Sequence, residues 1–533
     1  MTKSRLRMVG ARAGAAALLA CAALLAAPAL AAAPSLPSTN VAWLPAAADA
    51  DIERAFAQAR AENKPLLLYW GATWCPPCNQ LKATLFNRQD FATLSRSFVA
   101  VHVDGDRPGA QKISRRFKVS AYPTVLLLRA DGSEITRLPG EVDAPQVLAV
   151  LQHGLAGGRN VKAVLADALG GKALQPAEWR QLAFYSWDLD EGQLLPKAEV
   201  PGTLARLAAA SPASDAETQN RLWLKALAAS EGGEGVKPDA ALRASVQRVL
   251  ADPATSRQMM DVLTGSARTL VNVLEAEGSA QRAPLIAAFD RSLQRLQADA
   301  TLSRADRQGA LLARVELARL GQGLARDAVQ VALPAPLLKE VREQVARDDR
   351  EIRDGYERQA VITSAAWMLG RAGLWADSEA LLKANLAKSH SPYYLMSQLG
   401  GNARRQGRTD EALRWYGEAF DKSEGPATRL QWGAAYLTAL VDLAPQDAAR
   451  IEAVAAQLFA EAAKDSGAFD GRSARSLQRV GGKLLSWNKD GAQAAALKRL
   501  QDRLAQTCAG VEAADGRRAA CEALLKPADK AAA

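Results

Sequence analysis

The stretch KPLLLYWGATWCPPC, residues 64–78, runs a short apolar segment directly into two cysteines. Leu66-Leu67-Leu68-Tyr69-Trp70 has no helical period and predicts a strand buried on both faces. Gly71 to Trp74 reads as a loop, and Asn79 to Phe86 resumes with apolar residues at helical spacing. Cys75 and Cys78 therefore fall on the first turn of a helix. The nucleophile of disulfide exchange is the thiolate, and the free N–H groups of a helix N-terminus stabilise negative charge there. Cys75 is read as the attacking, more exposed thiol. Cys78, one turn deeper, would resolve a mixed disulfide by attacking Cys75. Pro76 and Pro77 fit because first-turn residues have no intrahelical N–H bond to lose.

Two plainer readings compete. Half a zinc site would need two further ligands, and His102, His153 and His390 are scattered singly; no metal or cofactor is expected on this ligand count. A purely structural disulfide over so short a loop gains little from chain entropy.

Working outward, 533 residues are too many for one core. Lys3, Arg5, Arg7 and Arg12 precede an Ala/Leu run from Ala13 to about Ala33, the pattern of a secretory signal peptide. Ala29-Leu30-Ala31 supplies a cleavage site, giving a signal peptide over 1–31 and no integral span after cleavage. Cutting after Ala33 would place Pro34 at the scissile bond. An uncleaved anchor is the alternative, weakened by Pro28 and by the low hydrophobicity of alanine. Lipidation at Cys21, within Leu18-Leu19-Ala20-Cys21, is a second alternative. Export to a periplasm leaves Cys75, Cys78, Cys508 and Cys521, an even count that favours pairing. The net charge of +10 falls to +6 when the four basic leader residues are removed, and no Lys/Arg block interleaves with aromatics. Nucleic-acid binding therefore has no support.

Residues 32–48 read as a Pro/Ala/Ser linker. A first domain over 49–157 opens with a helix from Asp49, the candidate N-cap, to Asn63. The strand and cysteine helix follow, then helical turns over Arg88–Phe98 and a strand over Val99–Asp104. Gly105 to Gly109 turns the chain into a short basic helix over Ala110–Val119. Val125–Arg129 is a third strand, Asp131-Gly132 a hairpin turn into Ser133–Leu138, and Asp143 to about Ala156 a closing helix.

This order, with WCPPC and a Tyr122-Pro123-Thr124 lying 45 residues after Cys78, resembles the thioredoxin superfamily over roughly residues 45–157. The CPPC tetrapeptide is similar to that of tryparedoxins and nucleoredoxins, and Tyr-Pro-Thr resembles thioredoxin-like domains of protein disulfide isomerases. The resemblance implies a thiol-disulfide oxidoreductase in which Pro123 is a cis proline facing Cys75 and Cys78. It gives Tyr122 and Pro123 a substrate-contacting role and makes Trp74 the aromatic residue before the first cysteine. Plain packing remains the alternative for Tyr122 and Trp74. One departure stands out: Tyr69 occupies the position of the family's buried acid, and Ala100 falls near its partner lysine. Glu134, Glu141 and Asp104 are candidate substitutes.

From about Arg159 the strands stop, and amphipathic segments alternate with Gly, Pro or Asp breaks, as in Leu222–Ala229, Leu242–Leu250, Leu285–Leu296, Leu311–Leu320 and Val341–Ile352. This predicts an all-α solenoid: a helical region over 158–360, repeats over 361–445 and terminal helices over 446–533. Gly407 to Ala419 resembles the second helix of a tetratricopeptide repeat, with Gly373, Ser378 and Leu382 thirty-four residues before Gly407, Ala412 and Tyr416. Leu399-Gly400 sits where the first helix of such a repeat carries its Leu-Gly pair. Trp367, Trp375, Tyr393, Tyr394, Trp415, Tyr416, Trp432 and Tyr436 cluster here, as repeat filling or as a concave peptide-binding face. Cys508 and Cys521 read as a structural disulfide stapling the last hairpin, with a second redox pair as the alternative. The expected whole is an exported oxidoreductase for protein disulfides or thiols, with a possible membrane redox donor and a partner-selecting helical domain. Its rival is a helical-repeat interaction scaffold with a thioredoxin-like binding module of little activity.

Overall fold

The computed structural model describes residues 41–527, apart from 139–142, 191, 231–234 and 514–515. The leader expected over 1–31, with Cys21, lies outside the described residues, as does Glu141.

β2 (Leu66–Gly71) is central to a five-stranded sheet, and all six of its residues are buried. Before it come β1 (Leu44–Ala46) and α1 (Asp49–Ala61); after it come α2 (Pro76–Leu81), running on as a π turn over Lys82–Phe86, and α3 (Gln89–Leu94). β3 (Val99–Asp104), α4 (Gln111–Arg116), β4 (Thr124–Leu128), β5 (Glu134–Leu138) and α5 (Ala144–Leu155) complete the thioredoxin-like part. The order is β1-β3-β2-β4-β5. β1 and β2 flank β3 in parallel, while β4 runs antiparallel to both β2 and β5. Pairing on both edges and burial on both faces explain why β2 shows no polar alternation.

Two expectations need correction. The linker over 32–48 ends early, because Leu44, Pro45 and Ala46 pair with Val101, His102 and Val103. Pro45 is tolerated there since an edge strand has one unpaired side. The first helix is also capped differently: Ala48 is the N-cap, and the Asp51 carboxylate reaches back to the N–H groups of Ala47 and Ala48.

Alternation along β2 sends its side chains to two cores. Leu66, Leu68 and Trp70 pack with Ile52, Phe56 and Val101 under α1. Leu67 and Tyr69 join a core that holds Cys75 and Cys78 and continues without a break into the helical region as far as Trp415 and Trp432. The described residues accordingly form one compact unit. Buried Arg137 strengthens the junction. Its guanidinium donates to the carbonyls of Phe117, Lys118 and Leu189 at 2.8–3.0 Å and pairs with Glu134. Such a buried charge is tolerable only because each donor finds an acceptor.

Beyond residue 158 the described chain is helical, and the expected segments fall on the helices Ala216–Ala228, Ala240–Ala251, Arg282–Ala298, Arg304–Gly321 and Ala335–Glu351. Gly400, in the helix Pro392–Arg405, permits a close crossing: a Cβ there would sit 3.1 Å from the Tyr416 ring. No helix among the described residues is long and apolar enough to cross a membrane.

Cys508 and Cys521 form a disulfide between the helices Ala494–Ala509 and Arg517–Ala523, inside a C-terminal core. Closing a loop of this length contributes about 3 kcal/mol of stability. Replacing both cysteines by serine should lower the urea midpoint of the C-terminal helices correspondingly and leave chemistry at Cys75 intact. A loss of exchange activity without unfolding would instead make this pair part of the redox machinery.

Candidate active site at the Cys75–Cys78 pair

Cys75 is the N-cap of α2, and its Sγ accepts the N–H of Cys78 at 3.2 Å. That contact sets the sulfur against the unpaired amides of the helix start, which favour a thiolate. Cys75 and Cys78 are disulfide-bonded, with Cα atoms 5.2 Å apart. The Asn79 amide stiffens the preceding loop by donating to the carbonyls of Thr73 and Cys75 at 2.7 and 2.8 Å. Tyr122–Pro123 is a cis peptide at the start of β4.

The exposure expected of Cys75 is not found. Cys75 is 2% exposed and Cys78 is fully buried. The helical region covers the motif. Gln359 donates to the Trp74 carbonyl at 3.1 Å, and the His390 ring lies 3.1 Å from the Thr73 carbonyl. The sequence gives no sign of this because the covering residues lie some three hundred positions away.

Trp74 is the centre of the cover. Its indole stacks on Tyr394 at 5.9 Å and leans on Trp432 at 5.3 Å, with Tyr122 edge-on at 6.1 Å. The Arg472 guanidinium lies 4.5 Å from the Trp74 ring and 4.8 Å from that of Tyr122. The indole N–H is shared between the Asp106 carboxylate at 2.8 Å and the Thr428 hydroxyl at 2.7 Å. Tyr122 is itself tied down, its hydroxyl accepting from Gln111 at 2.7 Å. Of the aromatics singled out in the repeats, Tyr394 and Trp432 thus pack on Trp74, whereas Trp367 is 43% exposed and takes no part in that cover.

Asp106, Thr428, Gln359, His390 and Arg472 were not legible as site residues. Asp106 falls in the Gly105–Gly109 turn, and only its position after β3 could have marked it. Burial pushes the Asp106 carboxyl up to about 6, against the pull of Thr428, Trp74 and Arg472. One of its oxygens has no hydrogen-bond partner.

At the position of the family's buried acid, Tyr69 is 2% exposed and its hydroxyl is unpartnered. It stacks on His102 at 4.8 Å and packs on Phe86. Burial raises the Tyr69 hydroxyl above its usual range, and burial followed by the nearby Lys82 charge lowers His102 to about 4. Both groups are therefore neutral near pH 7, and Tyr69 does not stand in for a carboxylate. Glu134 is held by Arg137, and Asp104 accepts the N–H of Asp106 at 3.1 Å. Neither hydrogen-bonds a cysteine.

Comparisons with known proteins fit this geometry. A family model described as a thioredoxin-like domain matches residues 52–155. A thiol:disulfide interchange protein DsbD 2 of Pseudomonas aeruginosa is 29% identical over 116 residues, 21% of this chain and 20% of the relative. DsbD of Pseudomonas fluorescens is 29% identical over 107 residues, 19% and 18% of the two chains. DsbD of Cronobacter sakazakii is 28% identical over 120 residues, 22% and 21%. The chain spans about a fifth of the length of these curated relatives. It carries a thioredoxin-like domain with a vicinal cysteine pair, followed by a helical region.

Proposed function

We propose that this protein is an exported thiol-disulfide oxidoreductase that exchanges disulfides with protein partners through Cys75 and Cys78. The observation that carries this reading is Cys75 Sγ at the mouth of α2, bonded to Cys78 and lying in a fold that supplies a cis Pro123. In the reducing direction, the Cys75 thiolate attacks one sulfur of a partner disulfide. A mixed disulfide forms and the other partner sulfur leaves as a thiolate. Cys78 then attacks Cys75, restoring the internal disulfide and releasing the second partner thiolate; two electrons have passed to the partner. The oxidising direction is the reverse. Trp74, Tyr122 and Pro123 would line the partner's path.

The periplasm is the proposed compartment, supported by the leader sequence and by the Cys508–Cys521 pair, which suits an oxidising environment. The likeness to DsbD thiol:disulfide interchange proteins supports interchange chemistry, and a membrane redox donor is proposed with it. Tetratricopeptide-like organisation over 361–445 is supported by Gly373 and Gly407, which both turn with positive φ thirty-four residues apart.

Exchange requires the helical cover to move off the cysteines, since a cysteine that is 2% exposed cannot meet an in-line disulfide. The same burial favours a second reading, an interaction scaffold in which the pair is structural. Reduction of insulin by dithiothreitol separates them. The first reading expects catalysis that drops to the uncatalysed rate in Cys75→Ser, and covalent partner complexes trapped by Cys78→Ser. Equal rates for wild type and Cys75→Ser would leave only the scaffold.

Access should also respond to the cover. Trp432→Ala removes a wall of the Trp74 cage, a loss of about 3 kcal/mol for a buried indole. It should speed reduction of the Cys75–Cys78 disulfide by about a hundredfold; an unchanged rate would show that opening is not required. Asp106 adds a pH dependence. Its folded value of about 6 lies above the ordinary 3.8, so the closed form holds the proton more tightly than an open one. Closure is fully favoured below about 4, loses ground as pH rises through 6, and is constant above. Near pH 7 wild type should react up to about a hundredfold faster than Asp106→Asn, with the ratio falling towards one by pH 4. A ratio that ignores pH would remove Asp106 from the control of access.

A further inference from the structure

A cavity of about 740 Å³ opens beside the cysteine motif, with Pro76 and Pro77 forming part of its wall. The helices Met260–Leu274, Arg304–Gly321 and Gly355–Arg371 form most of the rest, with Arg326, Asp327 and Arg405 added from other segments. Gly265 and Gly309 line it, and a Cβ at either would meet nothing within 4 Å. Trp367 stands at its side, 43% exposed, with the guanidiniums of Arg405 and Arg371 at 4.9 and 5.8 Å from its ring.

The charge around this cavity is unbalanced. Arg268, Arg326, Arg371 and Arg405 line it, with Arg319 buried behind them. Arg371 is paired with Glu316. Among the described residues, Arg268, Arg326 and Arg405 have no carboxylate within ion-pair distance. Arg268 donates to the Leu324 carbonyl, and its other terminal nitrogen is buried without a partner. Arg319 donates only to main-chain carbonyls, those of Arg371, Ala325, Arg326 and Ala328. Burial first, then repulsion from Arg371, lowers both Arg319 and Arg405 from their usual range. The acidic wall residues are Glu316, Asp327 and Asp306; Glu316 attracts Arg268 and Asp327 attracts Arg405 without an ion pair, and Asp306 accepts from Gln80 and Ser303.

The geometry points to a docking site for an acidic polypeptide segment, whose carboxylates meet Arg268, Arg326 and Arg405 while an apolar side chain rests on Trp367. A guanidinium against an aromatic face still presents its N–H edge to a carboxylate, so the two contacts are compatible. The volume suits a short segment of chain, and the open glycines let a main chain come close. A segment lying here passes along Pro76 and Pro77, between the two cysteines in sequence. This deepens the oxidoreductase reading, on which it rests, by naming the chemistry of the partner that the cover would admit.

The test uses the full-length protein and a fluorescein-labelled, cysteine-free octapeptide of alternating glutamate and leucine, read by anisotropy. Binding is expected, weakening as salt is raised. Arg326→Glu with Arg405→Glu, both at exposed positions, should weaken it about tenfold or more, and Trp367→Ala should weaken it as well. Cys75→Ser should bind as wild type does. Reduction of the internal disulfide of the arginine and Trp367 variants by dithiothreitol, at the wild-type rate, reports that they are folded and separates docking from exchange. Absent exchange with intact peptide binding would sink the oxidoreductase reading and leave the docking site standing. Equal binding of a lysine–leucine octapeptide, binding indifferent to the charge reversals, or displacement by equimolar inorganic phosphate would each overturn the proposal.

Discussion

The insertion of one indole, Trp74, into a socket built by the helical region is the contact on which the rest of this structure depends. Tyr394 and Trp432 provide apolar walls, Arg472 lies against its face, and Asp106 and Thr428 share its N–H. An aromatic side chain buried on every side contributes both area and ring geometry, and its single polar atom must be satisfied. The socket meets both demands. Because Trp74 directly precedes Cys75, whatever holds the indole also holds the sulfur out of water.

This constraint gives the cysteine pair two opposed properties. Placement at the start of α2 prepares Cys75 for ionisation, whereas the cover withholds the solvent and the partner that an ionised thiol needs. The covering bonds are few and polar: an amide from Gln359, a ring nitrogen from His390, and the shared indole N–H. Behind the disulfide, Tyr69 stacked on His102 occupies the place where the related fold carries an acid. The buried carboxylate of Asp106 instead serves the Trp74 socket. A carboxyl that helps proton transfer in one member of a fold can be absent from that strand in another, while a different acid ties the domain to its neighbour.

The two halves of the chain also divide the electrostatic work. Arg137 is matched atom for atom by carbonyls and Glu134, which suits a group whose role is to fasten β5 to the first helical turns. Around the cavity beside Pro76, Arg371 pairs with Glu316, whereas Arg268, Arg326 and Arg405 make no ion pair among the described residues, and half-buried Arg268 leaves one terminal nitrogen without a partner. Compensated charge at the junction and uncompensated charge at the cavity are opposite uses of the same side chain within one molecule.

The local features were readable from residue order. The unbroken apolar run of β2, the prolines after Cys75 and the hairpin at Asp131-Gly132 each follow from short-range rules of burial, capping and turn geometry. The helical character of everything after residue 158 follows from periodicity in the same way. The edge strand at Leu44–Ala46 was hidden, because three residues containing a proline carry no period, and only pairing with β3 makes them a strand. The cap on Cys75 was hidden more deeply. Its components, at 359, 390, 394, 428, 432 and 472, lie on separate helices, and the arginines of the cavity come from equally distant segments. Nothing local selects them. Which side chains surround a sulfur is set by how helices pack on the outer face of a sheet, a choice made by the summed burial of the whole core. The chain's order therefore determined where the chemistry could reside, and only the tertiary packing decided that it would be shut.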